Sequence, residues 1–267
     1  MTNNKIIDMH AHIFPATIAE KAVGSICNFY DIPMQGAGTG ENLLLQAKQA
    51  GVEKVLIHST ATTSRQVKSI NDFIINETNL HKEFIGFGTL HPDFEDIEQE
   101  VQRVIAAGLK GIKLHPDFQK FNIDDENACS IYKSCCGKLP ILFHIGDYRQ
   151  NYSSPRKLTR IMDKFPDLKI IAAHFGGWSV WEKEHETLSP SENLYFDTSS
   201  SMYDGGISID LIYKNIKKHG VDKFFFGSDY PMWSLGGEIQ KIKNLEFTQD
   251  EYEKIMYKNA EKFLRGQ

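Results

Sequence analysis

Near its start the chain carries a short apolar run that ends in two histidines, Ile6-Ile7-Asp8-Met9-His10-Ala11-His12. Similar runs of β-branched and aromatic residues recur along the sequence, each followed by a break and then a longer segment of helical period. Eight of them are predicted as strands, at residues 5–10, 53–59, 84–90, 109–115, 139–145, 169–174, 194–198 and 222–228. Their starts recur about every 31 residues, which is the size of a βαβ unit.

The intervening segments are predicted as helices, at residues 42–50, 64–80, 93–107, 124–137, 155–165, 209–219 and 249–264. Pro92 and Asp93 supply a helix-start signal, and Gly51, Gly108 and Gly220 lie where helices are expected to end. This alternation predicts an α/β fold, a single (β/α)₈ TIM barrel that forms one domain over residues 1–267. A doubly wound open sheet would need a glycine-rich phosphate loop after an early strand, and the sequence has none there.

The composition of the chain limits the kinds of partner that it is expected to bind. The 30 Lys and Arg residues against 35 Asp and Glu residues give a net charge of -5, so the chain as a whole has no basic footprint for nucleic acid or an anionic membrane. No apolar stretch approaches the roughly 20 residues that span a bilayer. We expect a cytoplasmic protein with reduced cysteines and a small-molecule substrate, and a homodimer as the commonest assembly.

The histidines lie mostly where a barrel carries its active site. Seven of the ten fall on or just after predicted strands, and the carboxyl ends of the strands form the active-site face of a (β/α)₈ barrel. Alternation of side chains along a strand sharpens the prediction. It directs Ile7, Met9 and Ala11 to the helices and Asp8, His10 and His12 inward. By the same argument His144, His174 (on the face of Ala172) and Asp229 are expected at the mouth of the barrel.

Imidazole and carboxylate groups converging on one mouth indicate a metal site. Buried polar groups of this number would be costly without a strong partner. Zinc is the expected ion, with manganese and iron as alternatives, and the site would keep a position for water. A metal-bound water has a pKa near 7, so it becomes a nucleophile at neutral pH. Asp229 could then accept a proton, and His174 could hydrogen-bond the hydroxide or a developing oxyanion.

The motifs together resemble the amidohydrolase superfamily. They are Asp8-Met9-His10-Ala11-His12, His144 on the fifth strand, Ala173-His174-Phe175-Gly176-Gly177 and Gly227-Ser228-Asp229-Tyr230-Pro231. More narrowly they are similar to amidohydrolase family 2, which includes aminocarboxymuconate semialdehyde decarboxylase and related hydrolases and lactonases. The resemblance implies metal ligation by His10, His12, His144 and Asp229. It also implies that His174 assists catalysis or adds to the metal ligands.

Three further residues have two interpretations each. Alternation points Lys113 inward, and binuclear relatives carry a carboxylated lysine on that strand as a bridge between two metals; the alternative is a charge-balancing or substrate-binding lysine. One metal per chain is therefore expected, or two if Lys113 is carboxylated. His115 is expected to contact substrate or support the metal ligands. Arg149, in a loop after a strand, is the best candidate to bind a substrate carboxylate, with ordinary loop packing as the alternative.

Three functions fit these residues. The first is a metal-dependent hydrolase of an amide, ester or lactone that uses a metal-activated water. The second is a non-oxidative decarboxylase (a carboxy-lyase) of a small unsaturated or aromatic carboxylic acid, which would release CO₂. The third is a catalytically inert metal-binding barrel. The sequence favours the hydrolase and expects an anionic substrate, but the first two functions share their site residues.

Overall fold

The computed structural model describes residues 5–266, and its strands run parallel around a (β/α)₈ barrel, which confirms the predicted fold. In chain order the strands are β1 (Ile7–His12), β2 (Lys54–His58), β3 (Phe84–Gly86), β4 (Gly88–Thr89), β5 (Ile112–Leu114), β6 (Ile141–Phe143), β7 (Ile170–Ala172), β8 (Leu194–Asp197) and β9 (Phe224–Phe225). Each observed strand lies inside the corresponding predicted strand or extends no more than two residues beyond it. β3 and β4 are the two halves of one predicted strand.

Backbone hydrogen bonds close the ring where the strand pairing is interrupted. Phe87, between β3 and β4, donates its N–H to Ile57 O at 3.0 Å, so the third strand position stays attached to β2. On the other side β1 meets the end of the chain's last strand, because Met9 N–H donates to Phe226 O at 2.8 Å. Asp229 N–H donates to His10 O at 2.8 Å. These bonds hold the first and last strand ends together at the mouth.

Twelve α-helices surround the strands or cap the barrel. Within residues 5–266, these twelve helices are α1 (Ala16–Tyr30), α2 (Gly40–Ala50), α3 (Val67–Leu80), α4 (Ile97–Ala106), α5 (Pro116–Gln119), α6 (Cys129–Cys135), α7 (Pro155–Lys164), α8 (Trp181–Glu184), α9 (Ile209–His219), α10 (Leu235–Lys243), α11 (Gln249–Glu253) and α12 (Asn259–Arg265). In that same span no helix is both long enough and apolar enough to cross a bilayer.

The helix predictions fail in two ways. The helix predicted at 93–107 begins only at Ile97, because Pro92 and Asp93 lie in a turn in which Phe94 N–H donates to His91 O at 3.0 Å. The helices α1, α5, α8 and α10 were not predicted. The segment of α1 separates the first strand from its expected helix, and only Ala19 of its 15 residues is fully buried. The alternation of one helix per strand gave no place for this additional helix.

Two apolar clusters stabilise the barrel. The larger one lies between the strands and the helices. The smaller one fills the barrel interior with side chains such as Ile7, Met9, Leu142 and Phe225, and Phe263 of α12 packs against it. The interior below the mouth is therefore apolar and closed by α12, and polar side chains concentrate above it.

The alternation prediction for β1 is wrong at its start and right at its end. Ile7 and Met9 lie in the interior cluster, not on the helix side, whereas Ala11 faces the helices as expected. The register between β1 and β2 shifts between Asp8 and Ala11. Such an irregularity inserts an extra residue and reverses the alternation beyond it, which a strict two-residue period cannot anticipate.

His174 also reaches the mouth by a route that alternation does not describe. Ala172, expected on the same face, lies in the helix-side cluster. After β7 the backbone turns left-handed, with φ of 60° at His174 and 50° at Phe175. Residues other than glycine seldom adopt these angles, so this turn, and not the strand, directs the imidazole inward.

Candidate metal centre and pocket

Three ligand atoms converge at the mouth. His10 Nε2 lies 3.3 Å from His12 Nε2, and Asp229 Oδ1 lies 3.3 Å and 3.4 Å from these two nitrogens. Bonds of 2.0–2.1 Å to a tetrahedral ion would place two ligand atoms about 3.4 Å apart. The spacing and the chemistry of these atoms therefore fit a divalent metal ion.

A buried carboxylate fixes the tautomer of His10. Asp197 Oδ2 lies 2.8 Å from His10 Nδ1, and both side chains are fully buried. Burial works to raise the pKa of Asp197, but the His10 imidazole holds it at about 2. Because an ionised carboxylate only accepts, His10 Nδ1 carries the proton. Nε2 then carries a lone pair and no proton, and a metal ion can take this lone pair in place of its contact with Lys113 Nζ.

We expect Asp197→Asn to weaken metal binding by about 10- to 100-fold, because the amide can no longer enforce this tautomer. The measurement is a competition titration of the metal against a chelator of known affinity. An affinity within twofold of the wild type would contradict the tautomer argument.

Asp229 is held as a carboxylate. Burial opposes its ionisation, but the imidazoles of His10 and His12 keep its pKa well below the usual range. Ser200 Oγ donates to Asp229 Oδ2 and itself receives the Trp233 indole N–H at 2.7 Å. Asp229 Oδ2 is thus hydrogen-bonded within the protein, and Asp229 Oδ1 faces His10 and His12.

His144 and His174 form a second pair beside these ligand atoms. His144 Nε2 lies 3.0 Å from Gly146 O, and His144 Nδ1 lies 3.0 Å from His174 Nε2. Burial lowers the pKa of both rings, so both are neutral. Since a carbonyl only accepts, His144 Nε2 carries the proton of its ring, and His174 Nδ1, 3.0 Å from Ser199 O, carries the proton of the other ring. The two nitrogens that face each other, His144 Nδ1 and His174 Nε2, are therefore both unprotonated and can hold a proton or a cation between them.

The expected fourth ligand, His144, therefore stands apart from the three convergent atoms. A nitrogen of His174 lies within 4.8 Å of the ligand atoms of His10 and Asp229, whereas His144 groups with His115 and Asp117. Metal ligation by His144 stays a prediction.

Lys113 lies inside the barrel as expected. It is fully buried, and its Nζ lies 3.2 Å from His10 Nε2. Burial lowers its pKa to about 8, so the ammonium group is still mostly charged at neutral pH. Lys113 thus supplies a positive charge directly beside the ligand atoms.

A pocket opens over these groups. The predicted site residues His12, Lys113, His115, His144, His174 and Asp229 line it together. Its remaining wall is mostly apolar and aromatic, formed by Ile26, Tyr30, Phe118, Pro231 and Met232. A few polar groups among apolar and aromatic walls suit a small, partly aromatic molecule.

Arg149 does not belong to this lining. Its Nε and Nη2 donate to the two oxygens of Asp147 at 2.9 and 2.8 Å, and its Nη1 donates to Phe29 O at 2.6 Å. The guanidinium also lies over the rings of Phe29, Tyr30 and Trp178, 4.8–5.5 Å from their centroids. In this structure Arg149 ties the end of α1 to the loop after β6, and its contact with a substrate carboxylate stays a prediction.

We expect Arg149→Met to lower the free energy of unfolding by about 1–3 kcal/mol, because it leaves the buried Asp147 carboxylate without its partner. Urea denaturation of the metal-loaded protein measures this loss. Unchanged stability combined with a weaker affinity for anionic ligands would instead support direct substrate binding.

Sequence reasoning missed Asp197 and Tyr30. Asp197 lies one residue before the end of the strand predicted at 194–198, and a strand end is the kind of position that points to Asp229. Tyr30 lies in the unassigned α1, so no pattern pointed to it. His58, in contrast, is fully buried with no hydrogen-bond partner for either nitrogen among the described residues. It packs edge-on against His12 at 4.3 Å.

Comparison with known proteins agrees with the sequence resemblance. A family model described as Amidohydrolase matches residues 7–266. Two curated relatives match shorter stretches: Decarboxylase orsB of Emericella nidulans, 28% identical over 126 residues (39% of this chain, 37% of the relative), and Gamma-resorcylate decarboxylase of Polaromonas sp., 24% identical over 124 residues (39% and 36%). The matched stretches span little more than a third of either relative.

Solved structures match over the whole barrel. The 5-carboxyvanillate decarboxylase of Sphingomonas paucimobilis superposes with a TM-score of 0.75 at 19% identity, covering 98% of this chain and 99% of that one. A dihydroxybenzoic acid decarboxylase of Polaromonas sp., solved with bound manganese and the inhibitor 2-nitroresorcinol, gives 0.74 at 15% identity, with 98% and 97% covered. At these identities the likeness establishes the fold.

Proposed function

Because the chain belongs to the amidohydrolase family, we propose that it is a metal-dependent, non-oxidative decarboxylase of a small aromatic carboxylic acid. The sequence favoured the hydrolase, and this is revised: the relatives named above are decarboxylases, and they support the alternative. The observation that carries the proposal is the pocket itself. It places a buried ammonium group and three metal-ligand atoms against aromatic walls, which fits a flat ring with a carboxylate.

We propose that His10, His12 and Asp229 hold the metal ion, with His144 as the expected further ligand. When bound, a divalent ion there would neutralise the charged oxygens of the substrate. Zinc is the ion that the ligand set predicts, and the manganese in the Polaromonas structure supports manganese as the alternative. Because Lys113 Nζ touches His10 Nε2 directly, we propose one ion per chain and an unmodified Lys113. Elemental analysis should then find about one equivalent.

Lys113 and His174 have separate roles in this proposal. The Lys113 ammonium attracts the carboxylate of the substrate into the pocket. When the bond between the ring and the carboxylate breaks, CO₂ leaves and its electron pair stays on the ring carbon, which must gain a proton. His174 lines the pocket and its unprotonated Nε2 can take up a proton and pass it on, whereas Asp229 is held ionised. We therefore assign proton delivery to His174.

The test is incubation of the metal-loaded protein with a panel of benzoates in D₂O. We expect CO₂ release, and one deuterium on the ring carbon that lost the carboxylate. Hydrolysis of amides, esters or lactones by the same preparation, with no CO₂ from any benzoate, would overturn the proposal. The homodimer and the extent of the domain, residues 1–267, stay predictions that sedimentation and limited proteolysis can examine.

A further inference from the structure

We propose that Tyr30 is the hydrogen-bond donor that recognises an oxygen atom of the substrate. The proposal rests on the proposed function for the identity of that substrate, an aromatic acid. Tyr30 is the last residue of α1 and lines the pocket together with Lys113 and His174. Its hydroxyl oxygen lies 2.9 Å from His115 Nε2.

The backbone around His115 determines which group donates in that contact. His115 caps the start of α5, where its Nδ1 accepts the N–H of Phe118 at 3.3 Å. An Nδ1 that accepts has no proton, so the proton of the neutral ring is on Nε2. His115 therefore donates to Tyr30, and the tyrosine keeps its own O–H proton.

That proton has no acceptor within the part of the chain that the structure describes. Among residues 5–266, His115 is the one hydrogen-bond partner found for the Tyr30 hydroxyl. Burial raises the pKa of Tyr30 well above its ordinary value, so the hydroxyl stays protonated. Tyr30 is half-buried at the wall of the pocket, so a ligand that fills the pocket displaces water from this hydroxyl and must supply an acceptor in its place.

The ring is held in place for this task. Trp178 packs edge-on against it at 4.9 Å, and the Arg149 guanidinium lies 5.2 Å from its centroid. Arg149 also bonds the neighbouring Phe29 O. Because this donor is already fixed before binding, little conformational entropy is lost when the ligand binds. Its partner would be a carboxylate or a ring hydroxyl oxygen, both of which are strong acceptors.

The experiment is a calorimetric titration of metal-loaded wild type and Tyr30→Phe with three probes. Benzoate offers only a carboxylate, resorcinol only ring hydroxyls, and 2,6-dihydroxybenzoate both. Phenylalanine keeps the ring and its packing, so metal content and thermal stability should not change. We expect the affinity for the recognised group to fall about 10- to 100-fold, as for a hydrogen bond to a charged group. Tyr148→Phe is the matched control, because Tyr148 is 72% exposed and outside the pocket.

The pattern across probes decides the outcome. A loss confined to benzoate and 2,6-dihydroxybenzoate supports the proposal and identifies the carboxylate as the partner. A loss confined to resorcinol and 2,6-dihydroxybenzoate supports it and identifies a ring hydroxyl. No loss, or an equal loss for all three, overturns it, since an equal loss means a displaced α1. Binding is measured without turnover, so an absence of CO₂ release would count against the proposed function and not against Tyr30.

Discussion

Asp229→Asn is expected to remove the metal ion and with it the activity, while the barrel stays folded. The substitution takes away the carboxylate charge that faces His10 and His12 at 3.3 and 3.4 Å. Metal affinity should fall by more than about 100-fold, the upper end of the loss seen when only a residue that orients a ligand is changed. Asparagine is the right replacement because Asp229 has a φ of 59°, and asparagine tolerates this left-handed backbone.

Metal content after dialysis and thermal unfolding of the metal-free protein measure the two parts of this prediction. The metal-free variant should unfold within a few degrees of the metal-free wild type, since the apolar clusters are untouched. Full metal retention would remove Asp229 from the ligands. His144→Ala belongs in the same series: metal loss would make His144 a ligand, and retention would leave it as the partner of His174.

His174→Asn is expected to lower kcat by about 10²- to 10⁴-fold, the usual contribution of a positioned proton donor, with metal content little changed. Asparagine again suits the backbone, because His174 has a φ of 60°. The readouts are kcat at saturating substrate and metal per chain. The proposed function supplies the assay, CO₂ release from the benzoate that the wild type accepts.

His91→Asn is the matched control for this variant. His91 also follows a strand and is buried, but its Nδ1 accepts the N–H of Asp93 in a turn and it does not line the pocket. Its kcat should stay within a few-fold of the wild type. If His174→Asn loses as much metal as Asp229→Asn, His174 is a ligand; if its kcat is unchanged, another group delivers the proton.

The barrel was predictable because its signal is repeated. Each strand buries apolar residues against helices on one side and the barrel interior on the other, so each repeat carries the same run, break and helix. The predictions that failed concern features that occur only once along the chain. The register shift in β1 and the left-handed turn at His174 each depend on contacts with distant segments, such as the hydrogen bond between Asp229 N–H and His10 O.

The site was predictable to the extent that it lies on strand ends. The inward positions of His10, His12, Lys113 and Asp229 follow from the barrel, and the structure brings them together. The hydrogen-bonding environment was not predictable. Asp197 acts through His10, which lies 187 positions away in sequence. Arg149 is hydrogen-bonded to Asp147 and to the end of α1. These contacts belong to the folded chain and have no local pattern.

Helix α1 has a consequence for how this protein could change over evolutionary time. The helix supplies Ile26 and Tyr30 to the pocket but buries only Ala19 fully. Substitutions along it can therefore reshape ligand selection while leaving the apolar interior, and so most of the folding free energy, unaffected. Directed evolution toward a new substrate therefore has a lightly constrained starting point in residues 16–30, where mostly exposed positions accompany two that line the pocket.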